Sequence, residues 1–197
     1  VDGRLTKFDE NLINHITIAY LYKVKNGETL FCELLKASNE KMFSHWAWEI
    51  GRILRSNKEK PSKLFDLEAM RKIWKSKLAN HGEISWWFIN SPFDKKATID
   101  LLLDALKRMP ILVNFISTVE KELEEYAKEL PLETIEALEL IMKSDKNRSE
   151  LYAIRGLTTQ NLLKTLLDSK NKDAISKTKL LINYLGTLGF NEYKDLL

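Results

Sequence analysis

The sequence predicts an α+β fold dominated by helices, with a small β-hairpin near the N-terminus. The first observation is compositional: 197 residues, 44% hydrophobic and 30% charged with only 7 Gly and 4 Pro, describe a helix-rich globular chain rather than a sandwich or a disordered tail. The second is apolar periodicity at helical spacing through most of the chain. The third is local. Ile16, Ile18, Tyr20, Tyr22 and Val24 alternate with smaller or polar neighbours, and Asn26-Gly27 follows before Thr29, Leu30 and Phe31, the pattern of two strands joined by a tight turn. Leu30, Phe31, Leu34 and Leu35 also fit helical spacing, so two helices broken at Gly27 is the rival reading. A chain of this length buries enough surface to be stable without staples, and 1–197 reads as a single domain.

The remaining elements follow in order. After Ser38-Asn39, the residues Met42, Phe43, Trp46, Ile50, Ile53 and Leu54 fall on one stripe, and that helix stops ahead of Pro61. Asp66 opens a second helix with Leu67, Met70, Ile73, Trp74 and Leu78 on its apolar face and Arg71, Lys72, Lys75 and Lys77 around the rest. The segment from Gly82 to Pro92, with Ile84, Trp86, Trp87, Phe88 and Ile89, has strand-like residues and no evident partner, and is expected to be a mobile element that alters ligand engagement. Asp94 starts a helix that reaches the boundary at Pro110. A longer amphipathic helix carrying Phe115, Ile116, Val119, Leu123 and Tyr126 runs to Pro131, which suits the first turn of the next one. Two or three more helices follow, with Thr158 and Ser176 as expected starts and Gly186 and Gly189 as stops.

Several function classes are excluded early. Cys32 is the only cysteine, so there is no internal disulfide, and its place in the run Leu30-Phe31-Cys32 is that of a small buried hydrophobe. No apolar run approaches the roughly 18 residues of a membrane span and no signal segment opens the chain, so the expected location is cytoplasmic without membrane contact. Val1 in place of Met marks the chain as an expected fragment. His15, His45 and His81 fall in separate elements with no ligand spacing, and no Gly-rich phosphate loop or nucleophile elbow is present, so neither a metal nor a cofactor is expected. Glu28, Glu33 and Lys36 resemble the carboxylate-plus-lysine sets of metal-dependent nucleases, but on an ideal strand Glu33 and Lys36 point to opposite faces, which argues against catalysis.

Charge is sorted along the chain. From Arg52 to Lys77 the cations Arg52, Arg55, Lys58, Lys60, Lys63, Arg71, Lys72, Lys75 and Lys77 face only Glu59, Asp66 and Glu68. From Glu120 to Glu139 eight glutamates stand against Lys121 and Lys128, and from Lys143 to Lys179 the balance is basic again, through Lys146, Arg148, Arg155, Lys164, Lys170, Lys172 and Lys177. Clustered cations neutralise phosphates with release of counterions, which makes nucleic acid the expected partner. Trp46 and Trp74 fit apolar stripes and are expected in the core; the adjacent Trp86 and Trp87, if extended, face opposite ways and leave one ring to stack on an exposed base. A weaker signal is a helix-turn-helix outline around Arg155-Gly156-Leu157, with Thr159, Gln160 and Asn161 at the start of its second helix.

Long stretches then give the whole chain a likeness to a known family. Trp46-Ala47-Trp48-Glu49-Ile50 with its basic continuation, Arg108-Met109-Pro110-Ile111, and Gly189-Phe190-Asn191-Glu192-Tyr193 resemble the C-terminal domain of the TnsE family, the target-selecting proteins of Tn-seven-type transposons. The resemblance implies a non-catalytic protein that binds features of replicating DNA, such as recessed 3′ ends, and directs transposase components there. It also implies contact with the replication sliding clamp through an N-terminal part outside this chain. No individual DNA contact is carried over from the family. Charge and exposure alone select Arg52, Arg55, Lys58, Lys60, Lys63, Arg71, Lys72, Lys75, Trp86, Trp87, Lys146 and Arg148 as DNA-binding. The alternative function is a helical protein-interaction module whose acidic Glu120–Glu139 face docks a basic partner.

Overall fold

The computed structural model describes residues 67–78, 85–108, 116–144 and 156–197, together with Thr29, Cys32, Glu33, Lys36, Ala37, Phe43, Ala47, Trp48 and Gly51. Among the described residues all regular structure is helical. The elements are α1 (Leu67–Leu78), α2 (Ser85–Ile89), α3 (Lys95–Arg108), α4 (Ile116–Ala127), α5 (Pro131–Met142), α6 (Leu157–Leu167), α7 (Lys172–Thr187) and a terminal 3-10 helix (Asn191–Leu196). None is long and apolar enough to cross a membrane. The first arm of the expected hairpin, 15–26, lies outside the described residues. On its second side Thr29, Cys32, Glu33, Lys36 and Ala37 are helical, and Cys32 is buried as its apolar run predicts. The helical turn brings Glu33 and Lys36 together as an exposed ion pair at 2.8 Å.

The chain packs as two compact units, one comprising Val1–Asn80 with Asn90–Phe93, the other His81–Ile89 with Asp94–Leu197. In the first, Met70, Ile73, Trp74 and Leu78 of α1 are buried, the stripe that the sequence predicts. Trp74 is its centre. Phe43 meets its ring edge-on with centroids 5.1 Å apart, and Phe93 does the same at 5.6 Å, geometries that suit the aromatic quadrupole. Phe43, Ala47 and Gly51, spaced by four, are all buried, and side-chain size falls steadily along that row. At Gly51 the cause is direct: a Cβ would lie 1.4 Å from the Asn90 carbonyl oxygen. The α1 helix is also pinned at its end, where the Lys77 ammonium donates to the Lys36 carbonyl at 2.7 Å.

In the second unit, α4 is central and packs on α2, α5 and α6, while α3 packs on α5 and α7 packs on α5, α6 and the 3-10 helix. Local chemistry sets the boundaries. Asp94 caps α3 by accepting from the Ala97 N–H at 2.7 Å, as expected. Pro131 occupies the first turn of α5, where its missing N–H costs nothing. The α7 start differs from expectation: Asn171, not Ser176, caps the helix by accepting from the Ala174 N–H at 3.0 Å. Gly186 lies within α7 rather than ending it.

Gly189 is the stop. Its φ of 95° is the left-handed conformation of a helix terminator, and two bonds complete the motif, Phe190 N–H to Leu185 O at 3.0 Å and Gly189 N–H to Gly186 O at 3.2 Å. Phe190 and Leu185 are both buried, the apolar contact that accompanies such ends. A Cβ at position 189 meets nothing within 4 Å, so Gly189→Ala costs only the left-handed backbone penalty. The expected loss is about 1 kcal/mol, measured by urea unfolding; a stabilised variant would contradict this reading.

Candidate nucleic-acid interface

The described part of the first basic region is the solvent side of α1. Lys72 and Lys75, three apart, are exposed, and Arg71 and Lys77 flank them half-buried. Arg71 also reaches Glu68 one turn back at 3.1 Å. An exposed pair of this kind is weak, so the guanidinium keeps donors for another acceptor. Burial of Met70, Ile73 and Trp74 on the opposite face fixes the direction in which these cations project. One turn of a rigid helix therefore presents Lys72 and Lys75 side by side. Arg52, Arg55, Lys58, Lys60 and Lys63 lie outside the described residues, as do Lys146 and Arg148 of the second basic region.

Trp86 and Trp87 belong to α2, not to a strand. The run of large apolar residues expected to be extended is a short helix, with Phe88 buried and packed on Tyr126 of α4 at 5.4 Å between ring centroids. Trp87 is 1% exposed and edge-on to Phe88 at 6.1 Å. Its ring faces are already covered by protein, so it is not a stacking platform for bases. Ser91 and Pro92, at the end of the segment expected to be mobile, are buried too.

The helix-turn-helix signal is likewise altered by packing. Helix α6 begins at Leu157, after Gly156, but Thr159 is fully buried and donates its hydroxyl proton to Glu120 Oε1 at 2.8 Å. It is turned into the unit rather than outward towards base edges.

Most glutamates of the acidic stretch have lysine partners. Glu125 pairs with Lys128 at 2.6 Å, Glu129 with Lys95 at 2.5 Å, Glu133 with Lys96 at 3.5 Å, Glu136 with Lys177 at 2.8 Å and Glu139 with Lys143 at 2.5 Å. Lys177 and Lys143 come from the second basic region, and Lys95 and Lys96 from the start of α3. No one of these pairs contributes much stability, yet together they cancel the field that a bare acidic face would project. Glu33 and Lys36 pair with each other, and no group of acidic, His or Cys side chains among the described residues is arranged to hold a metal.

No family model, curated protein or solved structure matches this chain.

One residue of the acidic stretch stands apart. Glu120 is 3% exposed, and it sits on the stripe of α4 that buries Val119, Leu123, Tyr126 and Ala127. Its neighbours are Thr159 of α6 and Tyr193 of the 3-10 helix, whose hydroxyl is hydrogen-bonded to the Thr159 side chain and to the Gly156 backbone. Burial raises its carboxyl to about pH 7, opposed by the Thr159 bond, and no cationic partner is present among the described residues. A charge inventory counts Glu120 as one acid among eight; the signal that distinguishes it is helical spacing with Val119, Leu123 and Tyr126.

Proposed function

We propose that the chain is a non-catalytic DNA-binding module of the TnsE type, which directs transposition to replicating DNA by recognising structure rather than sequence. The single observation that carries this reading is the solvent face of α1, where Lys72 and Lys75 project beside Arg71 and Lys77 from a helix anchored by Trp74. Cations on a rigid helix bind phosphates without reading bases, which suits a target defined by a recessed 3′ end. The basic residues Arg52 to Lys63, next in sequence, extend the cationic charge available to the same partner. Transposase components are the protein partners in this proposal. Glu33 and Lys36 satisfy one another, which gives a nuclease reading little to stand on. The alternative of an acidic docking face draws less support, because most of the glutamates concerned already have lysine partners or are buried.

Fluorescence titration of a duplex with a recessed 3′ end, repeated across salt concentrations, tests the proposal. Each phosphate contact contributes about −0.9 to the slope of log affinity against log salt. Replacing Lys72 and Lys75 by Ala together is expected to reduce that slope by about 2 and to weaken binding to every duplex alike. A slope near zero for the unaltered protein, or a double variant that binds as tightly, would remove the α1 face from the interface.

A further inference from the structure

We propose that Glu120, Thr159 and Tyr193 form a proton-controlled latch that holds the terminal 3-10 helix, Asn191–Leu196, against α4 and α6. All three side chains are buried, and they come from three elements far apart in sequence. The Thr159 hydroxyl has one proton and gives it to Glu120 Oε1 at 2.8 Å. The Tyr193 hydroxyl is hydrogen-bonded to the same Thr159 side chain. Thr159 therefore joins Tyr193 to Glu120, and the Gly156 backbone gives the Tyr193 hydroxyl a second anchor at the start of α6. Tyr193 is the only buried side chain of the 3-10 helix, which also packs on α7, so this point is the segment's buried side-chain anchor.

The surroundings make the latch sensitive to the state of one proton. Among the described residues α6 carries a single charged side chain, Lys164, which is exposed; α2 carries none. On α5, Glu133, Glu136 and Glu139 pair with Lys96, Lys177 and Lys143. On the 3-10 helix Glu192, Lys194 and Asp195 are exposed, and Tyr193 is the group that faces Glu120. On α4 itself Lys121 and Glu125 are exposed, Glu122 and Glu124 half-buried. No lysine or arginine among the described residues forms an ion pair with Glu120. A neutral Glu120 is at ease in this position. An ionised one is a buried anion with the Thr159 hydroxyl as its hydrogen-bond donor, and lifting the terminal segment admits the water it lacks.

The closed state therefore holds its proton to about pH 7, against an ordinary value of 4.5. Across that interval opening becomes easier as pH rises, and above it the dependence flattens. Amide hydrogen exchange of the whole chain, corrected for intrinsic rates, reads the latch directly. Protection of the amides of residues 191–197 is expected to fall on the order of fiftyfold between pH 5 and pH 8, through an opening more frequent than the one that exposes α5 and α7. In Glu120→Gln, which retains an acceptor for Thr159 but cannot ionise, that protection becomes independent of pH. In Tyr193→Phe it is reduced at every pH, because the hydroxyl that binds Thr159 and the Gly156 backbone is lost. Protection that does not change with pH in the unaltered protein, a fall that persists in Glu120→Gln, or terminal amides that open only together with α5 and α7 would each overturn the latch.

Discussion

Replacing Gly51 with Ala is expected to destabilise the first unit by roughly 3 kcal/mol, a large fraction of the stability of a small folded unit. The cause is a backbone collision. The added Cβ would lie 1.4 Å from the Asn90 carbonyl oxygen, 2.5 Å from the carbonyl carbon and 2.8 Å from Asn90 Cβ. Two of those three atoms are main chain, so no rotamer change relieves the contact; Asn90 and the residues that follow must move. Phe93 is among them, and its displacement would disturb the edge-on contact with Trp74 at 5.6 Å. Ala is the better helix former by about 1 kcal/mol, and this gain is too small to offset the collision.

The contrasting substitution is Gly186→Ala in α7. There the new Cβ meets Lys194 Cε at 2.4 Å and Nζ at 3.2 Å, the far end of an exposed and flexible side chain. The lysine swings aside, and the helix gains propensity. Thermal unfolding of both variants separates the two kinds of close approach: a downward shift of several degrees for Gly51→Ala, and little change or a slight rise for Gly186→Ala. A Gly51→Ala protein as stable as the parent would mean that Asn90 does not lie against Gly51.

What the sequence makes legible is what local chemistry decides. The carboxylate of Asp94 has a nearby backbone donor to accept from, Pro131 is tolerated in a first turn, and Gly189 is the residue type that enters the left-handed region freely. The stripe of Leu67, Met70, Ile73, Trp74 and Leu78 is periodic over about three turns and admits one reading. Five residues, Ser85–Ile89, do not: a short apolar run fits a strand and a buried helix equally, and only the presence of Tyr126 across the unit decides for the helix. Thr29 to Lys36 posed the same ambiguity.

The candidate site was legible to a similar depth. Periodicity places Lys72 and Lys75 on the solvent side of α1, because the buried face of that helix is unmistakable. The partners of the acidic stretch were not visible. Glu136 finds Lys177, 41 positions away, and Glu129 finds Lys95, 34 positions away. Such pairs depend on tertiary packing, so a linear count of charges overstated both the acidic face and the second basic region. Trp87 is a second case. Extended backbone was expected to turn the two indoles opposite ways, and the short α2 helix instead places the second of them among core residues.

The other large effect concerns Glu120, and its sign is opposite to that of an ordinary surface carboxylate. In the folded chain burial holds its proton to about pH 7, and in the unfolded chain the ordinary value of 4.5 returns. Between those values the folded state binds more protons than the unfolded one, so stability falls as pH rises from 4.5 towards 7 and levels off above it. The difference corresponds to roughly 3 kcal/mol. By comparison Glu125, held below its usual range by the Lys128 hydrogen bond, is exposed and screened by solvent. Glu120→Gln removes the titration while keeping shape and an acceptor for Thr159. Urea midpoints are therefore expected to coincide for the two proteins near pH 4.5 and to diverge with rising pH, the Gln variant being the more stable by about 2–3 kcal/mol at pH 8. Thr159→Val reverses the outcome. It removes the hydroxyl that donates to the carboxylate, leaves the ionised form without that bond, and lowers the pH 8 midpoint further while affecting the pH 5 midpoint less. A gap between parent and Glu120→Gln that does not vary with pH would show that the carboxyl is not desolvated in the folded chain. The buried acid then marks a place where this chain keeps a carboxyl group that its stability above neutral pH would be better without.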